Sequence, residues 1–158
     1  MRIQIINGPN LNRLGKRQPE VYGTTTAEQI MLQLQQDFPD VCFTYFQSNY
    51  EGCIIDKLQA LMEEKEDIAT GETDGEATTG VVINPGGLCH TSVSLRDAVE
   101  ETVQAGIQVI EVHISDISKR EPFRQHSMIS EVSTSSIIGH GVKGYTEAVK
   151  RITENAQI

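Results

Sequence analysis

The chain has 158 residues, of which 38% are apolar, and carries a formal net charge of −9 with a pI near 4.8. This length and apolar fraction predict one packed core, and hence a single domain over residues 1–158. The charge argues against nucleic-acid binding, because neutralising phosphates requires a basic surface. No apolar run approaches the roughly 18 residues of a membrane span. With no apolar leader and three cysteines that form no C-x-x-C, we expect a cytoplasmic protein.

Strands and helices alternate from the start of the chain. Residues 2–7 are rich in isoleucine and predict a first strand, which a turn containing Gly8 and Pro9 ends. A polar loop over residues 8–25 follows, in the position of a substrate lid. Thr26 and Gln29 then form a capping-box pattern that predicts a helix, and residues 41–47 predict the second strand.

The second half continues the alternation. Apolar residues over 54–62 recur at helical spacing, whereas residues 67–79 are acidic and rich in Gly and Thr, which predicts an exposed insertion. The remaining predicted elements are, in chain order, a strand at 80–84, a helix capped by Thr91 or Ser92, a strand at 108–114, a weak strand around 136–138 and a helix through 145–156.

This order of elements predicts an α/β fold with a parallel sheet covered by helices on both faces. Five strands at this length favour the flavodoxin-like doubly wound arrangement, with the strand order 2-1-3-4-5. Ligands of such sheets bind beyond the carboxyl ends of the strands, where the order reverses between strands one and three.

Polar residues collect at these strand ends. The fourth strand places Glu111 and His113 on one face, because side chains alternate with a period of two. A carboxylate in that position can hold the tautomer and orientation of an imidazole that transfers protons. The candidates at the strand ends are Asn7, Asn10, Asn84, His90, Glu111, His113 and Ser115.

Several familiar fingerprints are missing. No G-x-G-x-x-G follows the first strand and no G-x-x-x-x-G-K-[ST] occurs, so nucleotide binding has no motif. No pair of histidines has zinc-ligand spacing, so we expect no metal. Cys89 beside His90 is typical of a nucleophile and its base, but neighbouring side chains in an extended loop point apart, which disfavours a cysteine hydrolase.

The loop over residues 8–25 holds a tyrosine and an arginine five residues apart, Tyr22 and Arg17. A tyrosine in a loop usually packs against apolar neighbours, and an arginine usually lies on the surface. Together over an anion site they allow another interpretation, in which the guanidinium stabilises the phenolate and Tyr22 acts as a base. The residues alone leave both interpretations open.

Over nearly its whole length, the sequence resembles the type II 3-dehydroquinate dehydratases (type II dehydroquinases). The resemblance rests on ordered motifs with family-like spacing: Asn7-Gly8-Pro9-Asn10-Leu11-Asn12, Arg17-x-Pro19 with Tyr22-Gly23, Gln47-Ser48-Asn49, Asn84-Pro85-Gly86-Gly87, His90-Thr91-Ser92, Arg96-Asp97-Ala98, Glu111-Val112-His113-Ile114-Ser115, Arg120-Glu121-x-Phe123-Arg124 and Gly144-Tyr145. Three positions depart from the usual family pattern: Tyr50, Cys89 and Asp116. The usual residues there are His, Thr and Asn.

The resemblance implies reversible dehydration of 3-dehydroquinate to 3-dehydroshikimate, without a metal, a cofactor or a Schiff base. It makes Tyr22, beside Arg17, the base that forms an enolate, and Asn10 the group that stabilises it. It makes His113, oriented by Glu111, the acid that protonates the departing hydroxyl. The substrate-binding residues that it implies are Asn84, His90, Asp97, Ile114, Ser115 and Arg124.

The resemblance also implies a homododecamer built from trimers, and a place in the shikimate pathway of aromatic amino-acid biosynthesis. The motifs do not separate that pathway from quinate breakdown. The alternative function is a flavodoxin-like module that binds a nucleotide or flavin. A phosphoacceptor receiver is disfavoured, because Asn7 and Asn84 stand where it needs aspartates.

Overall fold

Five parallel strands form one sheet in the order β2-β1-β3-β4-β5, as a computed structural model that describes residues 1–156 shows. This order confirms the predicted doubly wound α/β fold. The strands are β1 (Arg2–Asn7), β2 (Cys42–Gln47), β3 (Thr78–Asn84), β4 (Gln108–His113) and β5 (Ser135–Ile138). The helices are α1 (Pro19–Tyr22), α2 (Ala27–Asp37), α3 (Glu51–Thr70), α4 (Val93–Gln104) and α5 (Lys143–Asn155).

Local sequence signals fix where the helices begin. The Thr26 hydroxyl accepts the backbone N–H of Gln29, whose side chain accepts the Thr26 N–H in return, so the predicted capping box is present. Of the two predicted caps for α4, Ser92 is the one used, and its hydroxyl accepts the Leu95 N–H at 2.8 Å.

Alternation along the strands supplies two hydrophobic cores, one on each face of the sheet. Ile3 and Ile5 of β1 pack on one face together with apolar residues of α2 and α5. Ile6 of β1 and Ile83 of β3 belong to the opposite core, with α3 and α4. Helices therefore cover both faces, and the polar strand ends are left at the carboxyl edge.

The structure corrects two boundaries in the predicted acidic insertion over residues 67–79. Helix α3 continues to Thr70 and ends at Gly71, which adopts the left-handed conformation typical of a helix C-terminus. Strand β3 begins at Thr78, two residues earlier than predicted. The connection is therefore residues 71–77. Charge does not distinguish a loop from a helix here, because acidic side chains are also accommodated on the exposed face of a helix.

The C-terminal helix α5 begins at Lys143, two residues before the predicted start, and ends at Asn155, one residue before the predicted end. Ala156 is exposed beyond it. Residues 157–158 lie outside the described part of the chain. Among the helices between Met1 and Ala156, none is long and apolar enough to cross a membrane.

Gly80 is required for the packing of α5 against β3. A Cβ atom at this position would lie 2.7 Å from Cγ2 of Ile152, which is fully buried. We expect Gly80→Ala to lower the free energy of unfolding by about 1–3 kcal/mol, because the overpacked core must shift. Gly52→Ala on α3 is the matched control, since a Cβ there meets nothing within 4 Å. Chemical denaturation measures both; an equal effect would contradict this explanation.

Candidate active site

Two glycine-containing turns meet at the carboxyl edge of the sheet, where β1 and β3 pair. The Gly8 N–H donates to the Asn84 carbonyl at 2.8 Å. A Cβ at Gly8 would lie 2.5 Å from the Pro85 carbonyl oxygen, so only glycine allows the turns to approach this closely. The turns form the floor of a cavity at the predicted switch point.

A buried hydrogen-bond chain holds the Asn84 side chain in this floor. The Asn84 Nδ2 donates to the Tyr145 hydroxyl at 3.1 Å, and that hydroxyl donates to the Asn7 Oδ1 at 2.7 Å. The Asn84 Oδ1 accepts the Gly86 N–H at 3.2 Å. These partners determine the orientation of the Asn84 amide. Burial raises the pKa of Tyr145 well above its usual value, so it remains a neutral phenol.

The predicted contact between Glu111 and His113 is present at the end of β4. The His113 Nε2 donates to Glu111 Oε1 at 2.7 Å, and both side chains are buried. The hydroxyl of Ser127 donates to the same oxygen at 2.6 Å, and the hydroxyl of Ser130 donates to Oε2. Glu111 therefore fixes the tautomer of His113, which leaves Nδ1 as the nitrogen without this proton.

The Glu111 carboxylate is ionised despite its burial. Desolvation favours the protonated acid, but the hydrogen bond and charge of His113 and the two serine hydroxyls outweigh it, so the pKa of Glu111 is lowered.

Tyr22 also lines the cavity and lies beside two arginines. The Arg120 Nη1 donates to the Tyr22 hydroxyl at 2.9 Å. The guanidinium carbons of Arg17 and Arg120 each lie 5.9 Å from the centroid of the tyrosine ring. Arg17 is thus near Tyr22, as predicted, but the direct hydrogen bond to the phenol oxygen comes from Arg120.

The cavity has a volume of about 180 Å³ and is lined by four arginines, Arg13, Arg17, Arg120 and Arg124. Within residues 1–156, no carboxylate is among the lining side chains. A cation-rich cavity in a protein of net charge −9 favours a small anionic ligand by local electrostatic attraction. The lining brings together most of the predicted site residues: Asn10, Arg17, Tyr22, Asn84, His90, His113, Ile114, Ser115 and Arg124.

One predicted substrate-binding residue, Asp97, lies outside this cavity. Its side chain is exposed on α4 and pairs with Arg96 at 3.1 Å. The core-facing residues of α4 include Leu95, Ala98 and Val99, and a residue two positions after Leu95 points to the opposite side of a helix. The family motif implies a substrate-binding role for Asp97, but its side chain does not line the cavity of its own chain.

Asp116, one of the three departures from the family pattern, is not among the residues that line the cavity. Its carboxylate accepts the Ser118 N–H at 3.1 Å and pairs with Lys119 at 2.9 Å. Its charge is therefore paired at the start of a 3₁₀ turn.

Sequence reasoning missed four residues of this site. Arg120 stands in the Arg120-Glu121-x-Phe123-Arg124 motif, but that motif offers no reason to place it beside Tyr22. The other three are Ser127, Ser130 and Tyr145, whose contacts join residues 16, 19 and 61 positions apart. Although Tyr145 stands in the Gly144-Tyr145 motif, no local pattern predicts these contacts, because only the tertiary fold brings the residues together.

Comparison with known protein families finds a match to the family described as "Dehydroquinase class II", over residues 1–153. The chain belongs to the class II dehydroquinase family. Membership confirms the resemblance seen in the motifs and identifies an enzyme of the hydro-lyase class. The alternative of a nucleotide- or flavin-binding module is not favoured.

Known class II dehydroquinase relatives match the chain along its whole length. It is 44% identical to "3-dehydroquinate dehydratase" of Corynebacterium pseudotuberculosis, over 99% of both sequences. It is 39% identical to "Catabolic 3-dehydroquinase" of Podospora anserina, over 99% of this chain and 96% of that protein. The type II dehydroquinase structure from Butyrivibrio crossotus superposes with a TM-score of 0.85, at 37% identity and 97% coverage of both chains.

Proposed function

We propose that this chain catalyses the reversible dehydration of 3-dehydroquinate to 3-dehydroshikimate through an enolate, without a Schiff base. Tyr22 acts as the phenolate base and His113 as the general acid. The observation that carries the proposal is the placement of two proton-transfer groups in one cavity: Tyr22 bonded by Arg120, and His113 bonded by Glu111.

The charges around Tyr22 support its role as base. Removing the proton next to the substrate ketone requires a phenolate, and the nearby guanidinium groups of Arg17 and Arg120 stabilise that negative charge. The enolate that forms carries negative charge on the ketone oxygen. Asn10, whose backbone is fixed in a left-handed conformation and bonded to Asn49, stabilises this oxygen through a bound water molecule.

The second step belongs to His113. Collapse of the enolate expels the hydroxyl group, which leaves as water if an acid donates a proton to it. The Glu111 carboxylate stabilises the imidazolium that supplies this proton and keeps the ring in place. The proton taken by Tyr22 and the proton given by His113 balance the loss of one water molecule.

We infer that the substrate carboxylate binds to Asn84 and to the backbone at Ile114 and Ser115. The ring hydroxyls bind to His90 and Arg124. Glu121 positions Arg124, because the Glu121 Oε2 lies 3.1 Å from the Arg124 Nε. The two groups form an ion pair, although the Nε–H of Arg124 is not well aligned for a hydrogen bond. The same carboxylate oxygen lies 3.7 Å from the Arg120 Nε, so Glu121 holds two of the cavity arginines.

The direct test of this function adds 3-dehydroquinate to the purified protein and follows the ultraviolet absorption of the conjugated enone product. We expect the absorption to grow with time, and treatment with borohydride in the presence of substrate to leave activity intact. Absence of product, or inactivation by borohydride, contradicts the proposed reaction.

The Arg120→Gln substitution is expected to lower kcat by about 10–100-fold, because a hydrogen bond to a charged group contributes about 1.5–3 kcal/mol. Lys119→Gln is the matched control. It removes the same charge from the neighbouring residue, whose side chain is exposed and pairs with Asp116. Steady-state kinetics of both variants measure the difference, and equal losses would indicate a general effect of charge.

The Glu111→Gln substitution tests the positioning of His113. We expect a kcat lower by about 10–100-fold, since the amide keeps the size of the carboxylate but loses its charge. In a His113→Asn background the same change is expected to have little further effect, because the two residues act as one unit. Independent, multiplicative losses in the double variant would show that Glu111 acts by another route.

We infer from the family resemblance that the chain assembles as a homododecamer, a tetramer of trimers. Light scattering of the purified protein is expected to give twelve times the 17.5 kDa mass of one chain. A mass of one or three chains would contradict the dodecamer but would leave the assigned fold unchanged.

We further infer that the enzyme acts in the cytoplasm, in the shikimate pathway of aromatic amino-acid biosynthesis. Growth without aromatic amino acids tests this inference. The chain is expected to restore such growth to a bacterium that lacks its own dehydroquinase, and a catalytically active protein that fails to do so would contradict a biosynthetic role.

A further inference from the structure

Three side chains with metal-binding atoms converge beside the cavity. The ligand atoms of Cys89, Glu111 and His113 all lie within 4.8 Å of one another, and the three side chains are buried. His90 adjoins this group, since its Nε2 lies 3.3 Å from the Cys89 Sγ. Thiolate, imidazole and carboxylate are the ligands that Zn²⁺ takes in proteins, and soft thiolate favours thiophilic ions generally.

Two separations between these atoms can be compared with those around a tetrahedral ion. Ligands bound to zinc lie roughly 3.3–3.7 Å apart, given bond lengths of about 2.0–2.3 Å. Cys89 and His90 already have this separation. Glu111 and His113, at 2.7 Å, must move apart by roughly 1 Å to share an ion instead of a proton.

The His90 ring is already oriented for coordination. Its Nδ1 lies 2.7 Å from the carbonyl oxygen of His126, which can only accept a hydrogen bond, so Nδ1 carries the proton. The Nε2 lone pair therefore faces Cys89. Metal-binding histidines are commonly held in this way, with the second ring nitrogen donating to a backbone carbonyl.

Cys89 is a neutral thiol in the absence of a metal ion. Burial, and then the charge of Glu111, raise its pKa to about 12. A coordinated cation reverses this balance, because it favours the thiolate and offsets the carboxylate charge. On binding, the S–H bond of Cys89 breaks, a sulfur–metal bond forms and that proton passes to the solvent. The Nε2 of His113 also releases its proton to the solvent, and the ring takes a proton at Nδ1, so that Nε2 is free to bind the ion.

We propose that Cys89, His90, Glu111 and His113 form an inhibitory site for a thiophilic divalent cation, of the class of Zn²⁺ and Cd²⁺. The ion enters from the cavity, which His90 and His113 line. Coordination engages the acid of the proposed reaction and the carboxylate that orients it. The inhibitory effect therefore rests on the proposed function, whereas binding of the ion does not.

The sequence did not predict this site. A search for closely spaced histidine pairs overlooks ligands that come from two separate segments, 89–90 and 111–113, which the pairing of β3 with β4 brings together. By resemblance the family commonly has Thr at position 89, so the thiol is a feature that distinguishes this chain.

The test adds Cd²⁺ to the chelator-treated, full-length protein. Ultraviolet absorption of the cadmium–thiolate bond reports binding, and dehydration of 3-dehydroquinate reports inhibition. We expect one Cd²⁺ per chain, with both effects reversed by EDTA. In Cys89→Thr we expect the absorption to be lost. Inhibition of this variant is measured relative to its own metal-free rate, and the Cd²⁺ concentration that halves that rate is expected to rise more than about tenfold. Cys89→Ala serves the same purpose if the threonine variant does not fold.

The matched control is the double variant Cys42→Ser/Cys53→Ser, which removes the two exposed thiols and is expected to keep both effects. The proposal is overturned if no thiolate absorption forms, if the absorption survives Cys89→Thr or disappears in the control, or if inhibition is unchanged in Cys89→Thr. A Cys89-dependent absorption in a protein that never dehydrates 3-dehydroquinate refutes the proposed function and leaves the metal site standing.

Discussion

The Tyr22→Phe substitution is expected to lower kcat by about 10³-fold, because it removes the oxygen that takes the first proton while keeping the ring in place. The hydroxyl is held by Arg120 at 2.9 Å, so its loss also leaves that guanidinium without its partner in the cavity. Exchange of the substrate proton next to the ketone with solvent deuterium is expected to stop together with dehydration, since both begin with proton removal by the same group.

Tyr50→Phe is the control for this prediction. Tyr50 precedes α3, is 75% exposed and is not among the residues that line the cavity, so the same chemical change there is expected to leave kcat unchanged. Circular dichroism of both variants shows whether the fold is intact. A folded Tyr22→Phe variant with more than a tenth of the original activity contradicts the assignment of the base.

The His113→Asn substitution is expected to lower the rate of dehydration by a similar factor, about 10³-fold, for a different reason. An amide N–H can donate a hydrogen bond to Glu111 as the imidazole does, but an amide does not transfer a proton at neutral pH. With Tyr22 intact the enolate still forms. Solvent deuterium exchange next to the ketone is therefore expected to continue in this variant while formation of the enone nearly stops.

This separation of exchange from dehydration distinguishes the two proposed roles. His140→Asn is the control, because His140 pairs with Glu147 on the surface and is not among the residues that line the cavity. Nuclear magnetic resonance of the substrate in deuterated buffer measures exchange, and absorption of the product measures dehydration. Loss of both in His113→Asn would show that this residue acts before the enolate forms.

Much of the fold follows from patterns of short range in the sequence. Isoleucine-rich segments such as residues 2–7 determine the strands, and the Thr26–Gln29 capping box determines the start of α2. Alternation along β4 placed Glu111 and His113 on one face, and the structure shows that they touch. These inferences hold because spacing along a strand or a helix fixes direction before any tertiary contact forms.

Patterns and motifs within the chain predict the class of fold, the position of the cavity at the carboxyl edge of the sheet and most of the residues that line it. Three other facts emerge from the folded structure: Arg120 is the arginine that hydrogen-bonds Tyr22, Asp97 lies outside the cavity, and Cys89 lies beside the Glu111–His113 pair. Those facts depend on how separate loops pack against one another, and the geometry of such packing is set by the whole core and has no local signal.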